Sequence, residues 1–187
     1  MREEVLAWFF DALCMVEAPY FRPATINHPE GIVRERVFCY ELYHQLRVLQ
    51  SRRPSVTAFV LHGEMDKSGH PNFPGFGKKP DFVFHSPGTM ENNTCVIEVK
   101  GNLVPEDIRK DFTNLLAFLG RYNYNFGLFI LFGHRYQELR AICLQWFETL
   151  DFLHYAERID ILIIENLGVP PYRTTLYDLV QEPANAN

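Results

Sequence analysis

The chain has 187 residues, 47% of them hydrophobic and 14% aromatic, which suits one packed domain and excludes an intrinsically disordered segment. Its 18 basic and 23 acidic residues leave a formal net charge of −5, which argues against gripping nucleic acid by bulk charge alone. No apolar run approaches the about 18 residues that a spanning helix needs, and Met1-Arg2-Glu3-Glu4 is no secretory leader, so the expectation is a cytoplasmic protein off the membrane.

The charge is uneven. Residues 34–149 hold 14 basic and 12 acidic residues, a net of +2, whereas the flanks together hold 4 and 11, a net of −7. Cys14, Cys39, Cys95 and Cys143 are far apart and form no CxxC pair, so four reduced, buried thiols are expected.

In chain order, residues 3–17 predict a helix whose apolar face is Val5, Trp8, Phe9, Ala12, Leu13 and Val16, ended by Pro19 and Pro23. A second helix is expected over 33–50. Its broad apolar surface joins Val37, Tyr40 and His44 to Phe38, Leu42, Leu46 and Leu49, with Glu41 an unusual acid among them. Residues 56–62 read as a strand, and 68–80, with three prolines and three glycines, as a loop. Pro80–His85 and Thr94–Lys100 read as two strands joined by a turn. Pro105 at the first helical position and Glu106-Asp107 behind it open a helix with the buried stripe Ile108, Phe112, Leu115, Leu116 and Leu119, with Gly120 as its stop. Phe126–Phe132 and Ile159–Ile164 are apolar throughout, as in strands buried on both faces. A helix over 134–153 separates them, and the tail beyond Pro170-Pro171 is short and acidic. Three sequential strands followed by strand–helix–strand units give an α/β fold. It is a single mixed sheet, an antiparallel meander with parallel additions, flanked by helices in one domain spanning 1–187.

The residues that carry chemistry gather on the central hairpin. Side chains alternate faces along a strand, so Glu98 and Lys100 emerge together while Val99 points into apolar packing. A hairpin that brings Asp81 to them sets two carboxylates and an ammonium at one end of a sheet, a trap for a hard divalent cation and a water beside it. The plainer alternative is that Glu98 and Lys100 form a surface strand pair worth well under 1 kcal/mol.

Pro80-Asp81 and Glu98-Val99-Lys100, in this order and on these elements, resemble the motif of the PD-(D/E)XK nuclease superfamily. They are the chain's single Pro-Asp and single acid-x-Lys. The resemblance covers about 33–132 and implies a restriction-endonuclease-like core, with the first helix and the part beyond 133 as additions. It also implies Mg²⁺- or Mn²⁺-dependent phosphodiester hydrolysis, with DNA as the nucleic acid expected. Asp81 and Glu98 would bind metal with the Val99 carbonyl, Lys100 would position water, and Glu41 would match the acid that many members carry on the first core helix. Antiviral defence, restriction or DNA repair would suit such an endonuclease. The alternative is a nuclease-like interaction module that is catalytically silent, or that needs a protein partner or a homodimer.

Other residues have two readings each. Glu64 either reaches the same pocket or is a loop acid. His85 and His44 either orient a carboxylate or pack. Lys78, Lys79 and Arg47 either touch a phosphate backbone or face solvent, as do Arg34, Arg36, Arg52 and Arg53. Lys110 and Asp111 follow the motif on a helix that lines the active cleft in folds of this kind, although charges there more often face solvent. Tyr122 and Tyr124 are either base-stacking groups or core.

Overall fold

The structure, a computed structural model, describes residues 1–52, 59–64, 79–86, 93–147 and 153–181. Helices α1 (Arg2–Cys14), α2 (Ala18–Phe21) and α3 (Glu35–Gln50) precede strands β1 (Val60–Gly63), β2 (Phe82–His85) and β3 (Asn93–Lys100). Helix α4 (Pro105–Arg121), strand β4 (Phe126–Phe132) and helices α5 (Tyr136–Cys143) and α6 (Leu153–Ala156) come next. Strands β5 (Ile159–Ile164) and β6 (Tyr172–Thr175) and helix α7 (Leu176–Gln181) complete the order.

All six strands form one open sheet whose spatial order follows the chain, β1 to β6. Pairing is antiparallel from β1 to β3, parallel from β3 to β5, and antiparallel again at β6. The expected mixed sheet is therefore present.

Alternation along the strands builds a layer of helices on each face. Ile97, Val99, Leu128, Ile130 and Phe132 pack with the side chains of α1, α2 and α3. Val96, Phe129, Leu131, Ile161 and Ile163 pack with those of α4, α5 and α7. β4 and β5 are buried along their whole length, which is why their sequences are apolar without alternation. Trp8 seals the first layer: its Nε1 donates to Leu46 O at 2.9 Å, and its ring lies 5.2 Å from that of Phe84.

At the opposite edge a buried carboxylate ties the first helix to the sheet. Asp160 is wholly inaccessible, and it accepts hydrogen bonds from Arg2 Nε at 2.7 Å and Arg173 Nη2 at 3.0 Å. Arg173 also holds Glu3 at 2.7 and 2.8 Å.

Several expectations are corrected. The first helix stops at Cys14, and Pro19 opens α2, because proline fits a helix's first turn and not its interior. On α3 the buried stripe is Phe38, Leu42 and Leu46, while Tyr40 and His44 face solvent. α4 runs past Gly120, and Asn123 takes the left-handed position at φ 53°. The expected long helix is short, ending at Cys143, and residues 148–152 lie outside the described ones. The tail is no loose end, since β6 and α7 bury Thr174, Leu176, Leu179 and Val180. Cys95 and Cys143 are buried free thiols, whereas Cys14 is exposed and Cys39 half-buried. Among the described residues no helix is long and apolar enough to cross a membrane.

Candidate active site

β3 is where the sheet changes from antiparallel to parallel pairing, and its carboxyl end opens into a cleft of about 360 Å³. Asp81, Glu98 and Lys100 all line it. The hairpin register explains why: Phe82 pairs with Ile97, so the residue before β2 comes level with the end of β3. The backbone fixes this further, since the Val99 N–H donates to Asp81 Oδ2 at 2.7 Å. Val99 itself is buried in the core, as strand alternation requires.

Glu98 and Lys100 lie on the α4 side of the sheet. Glu98 is buried, and its Oε1 accepts a hydrogen bond from Asn114 Nδ2 at 3.3 Å. Lys100 Nζ lies 3.0 Å from Asp111 Oδ2 and 3.5 Å from Glu35 Oε1. The Asp111 contact is an ion pair by distance, although that oxygen is buried without a well-angled hydrogen bond among the described residues. Glu35 also accepts the Gly101 N–H at 3.2 Å, and it thereby pins the turn that follows Lys100. Lys79 and Lys110 line the cleft as well, and both are exposed.

Four carboxylates and one enclosed ammonium make proton affinity high. Burial pushes Asp81 up to about 6, with Glu35 adding to the rise and the Val99 N–H opposing it. Burial raises Glu98 well above its ordinary value, and the neighbouring Asp81 and Asp111 raise it further. Asp111 is raised by burial against the pull of Lys100. For Lys100, burial opposes the charged form, but Asp111, Glu35 and Asp81 outweigh it and hold the ammonium above its usual value.

The remaining predicted residues divide. Glu41 does not line the cleft. It is buried on α3 six residues past Glu35, about 9 Å along the helix, with Gln45 Nε2 donating to it at 2.6 Å. The acid that α3 delivers is Glu35, from its first turn. Glu64 lines an adjoining cavity and holds φ at 46°; its N–H donates to Asp81 O at 3.0 Å. His85 lies at the far end of β2 from Asp81, with its Nε2 2.9 Å from His62 Nδ1, so it does not orient that carboxylate. Arg47 is twelve residues along α3 from Glu35, about 18 Å away, and donates to Gln50 at 2.6 Å; it is no part of the cleft. Lys78 and Arg53 fall outside the described residues. Tyr122 and Tyr124 are buried against Phe118, which removes them as base-stacking groups. Asp111, read as solvent-facing, is buried against Lys100.

Sequence reasoning missed Glu35 and the role of Asp111. A signal was present for both. Glu35 occupies the first turn of a helix that must start near the sheet's carboxyl edge, and Asp111 sits at i+3 from Ile108, on the buried stripe.

Among the described residues no group of three or more histidine, cysteine, aspartate or glutamate side chains is placed to hold a metal ion. No family model matches the chain, and neither does any curated protein or solved structure.

Proposed function

We propose that the cleft is the active site of a metal-dependent phosphodiester hydrolase, a nuclease acting on DNA, on a core of the restriction-endonuclease type. The observation that carries this reading is the convergence of Asp81, Glu98 and Lys100 in one open cleft at the carboxyl end of β3. The donor chemistry fits Mg²⁺ or Mn²⁺. Asp81 and Glu98 offer hard oxygens with raised proton affinity, the Val99 carbonyl would be a third by the resemblance, and Mg²⁺ commonly takes one or two carboxylates while keeping several waters. When bound, the ion would supply Lewis-acid stabilisation and a more acidic water.

The chain's own residues do the rest. The Val99 N–H fixes Asp81, and Asn114 orients Glu98. Lys100, held in its charged form, steadies negative charge developing on the phosphate and positions the attacking water. Asp111 and Glu35 keep its ammonium inside the cleft. Lys79 and Lys110 offer the approaching backbone positive charge at the rim.

A second reading, a silent or partner-dependent module, draws on the same ion pairs: within the cleft Lys100 is already engaged by two carboxylates. Cleavage of supercoiled plasmid with Mg²⁺ or Mn²⁺ separates the two. The hydrolytic reading expects nicking by wild type and loss of it in Lys100→Ala. Equal cutting by both proteins refutes the mechanism, and no cutting by either favours the second reading.

A further inference from the structure

A second cavity, of about 520 Å³, opens beside the acid cleft, and the two share Glu35 and Asp81 as a common wall. Its volume falls within the range of about 300–1,000 Å³ typical of small-molecule sites. Its other walls add aromatic rings to a further carboxylate, Glu64, just past the end of β1. Arg36, Tyr40 and Tyr43 come from one face of α3, and Phe82 from the start of β2. Tyr43 and Phe82 lie nearly parallel, 17° apart with ring centroids separated by 6.2 Å, and Tyr43 Oη donates to Leu61 O at 3.4 Å. That pair is a fixed floor. Tyr40 is different: it is 67% exposed, a large ring held in water at the mouth of a cavity, where the core gains nothing from it. Among the described residues, the lysines Lys79, Lys100 and Lys110 line the cleft and none lines the aromatic cavity.

An aromatic cavity and a lysine-bearing cleft that share one wall match the two halves of a nucleotide, a flat base and an anionic phosphate. We propose that the aromatic cavity receives an unpaired nucleobase while the adjoining phosphate enters the cleft, which makes single-stranded nucleic acid the substrate class. The placement of the phosphate rests on the hydrolytic reading of the cleft; the aromatic cavity stands on its own geometry. A base in a duplex must leave its partner and its stack to enter such a cavity, a cost that a single strand largely escapes. Stacking on tyrosine tolerates sequence, because every base has a π-face. DNA and RNA share that base chemistry, so the test must separate them.

Fluorescence anisotropy of the full chain with phosphorothioate oligonucleotides, which resist hydrolysis, provides that test in Mg²⁺ buffer. The ligands are single-stranded DNA, RNA of the same sequence and the DNA duplex. The proteins are wild type, Tyr40→Ala and Tyr40→Phe, and the exposure of Tyr40 leaves the fold of both variants intact, as circular dichroism would verify. Single strands are expected to bind about 10-fold more tightly than duplex, Tyr40→Ala to weaken that binding by about 10-fold, and Tyr40→Phe to retain it. A preference for DNA or for RNA then identifies the sugar. Equal binding by wild type and Tyr40→Ala, duplex bound as tightly as single strand, or no binding at all overturns the proposal. Cleavage of ordinary single-stranded DNA and RNA, run in parallel with the plasmid, keeps the two ideas apart. Cutting with tyrosine-independent binding refutes the base site and leaves hydrolysis standing, whereas tyrosine-dependent binding without cutting does the reverse.

Discussion

Replacing Asp81 by asparagine tests the electrostatics of the cleft without any assumption about activity. Asparagine keeps the shape and can still accept the Val99 N–H, which Asp81 takes at 2.7 Å, but it cannot titrate. The folded protein holds the Asp81 proton more tightly than the unfolded chain, with the value moved from 3.8 to about 6. Stability from this group is therefore fully present below the lower value and is lost as pH rises through the upper one. The gap of about 2.2 pH units, at about 1.36 kcal/mol each, corresponds to about 3 kcal/mol, an upper limit because water in the open cleft screens the charge. Urea denaturation of both proteins across this range is the assay. Asp81→Asn should gain about 2–3 kcal/mol on wild type between about pH 4 and pH 7.5; titrations outside the cleft cancel in the difference, while loss of the Asp81 charge also lowers the proton affinity of Glu98. A difference that stays flat with pH would show that Asp81 is well solvated or well paired, and the description of the cleft would be wrong.

Four further outcomes are expected. Mg²⁺ should raise the Tm of wild type above about pH 6 by binding the folded state, and leave Asp81→Asn unmoved in differential scanning calorimetry; equal shifts would put the ion elsewhere. Glu35→Gln should lower plasmid nicking at limiting Mg²⁺ whereas Glu41→Gln should not, since Glu41 lies off the cleft beside Gln45; the opposite ranking would restore Glu41 to the site. Gly101→Ala should cost about 1–3 kcal/mol in thermal denaturation, because an added Cβ would collide with the Phe132 ring and Val33. Asp160→Ala should cost about 2–3 kcal/mol, below the usual figure for breaking a buried pair because Arg2 and Arg173 can still reach water; a neutral result would mean that the cluster contributes nothing net.

The mixed sheet was legible in the sequence because its strongest signals, the fully apolar runs at Phe126–Phe132 and Ile159–Ile164, come only from strands covered on both faces. Asp81, Glu98 and Lys100 were legible as a group because strand alternation and a hairpin require little more than spacing. The helical partners were harder. Glu41 lies about 120° around α3 from Glu35 as well as about 9 Å along it, and only the placement of α3 against the sheet decides which acid reaches the cleft. Asp111 was misread because a charged residue on an amphipathic helix is ordinarily solvated, and the ammonium that buries it comes from a strand. β6 and α7 were missed because the tail's acidic character obscured Leu176, Leu179 and Val180, which recur at helical spacing.

The tie between the first helix and the sheet edge has a consequence during synthesis. Arg2 reaches Asp160 across a separation of 158 residues, and Arg173 closes the clasp from further along still. At about 5–20 residues per second, a ribosome needs on the order of 8–30 s to make the intervening chain. Throughout that interval α1 has emerged, carrying Trp8, Phe9 and Leu13, before the strands that bury them are complete. The nascent chain therefore exposes an aromatic helix early and locks it late, the order of events in which a holding chaperone has the most to offer.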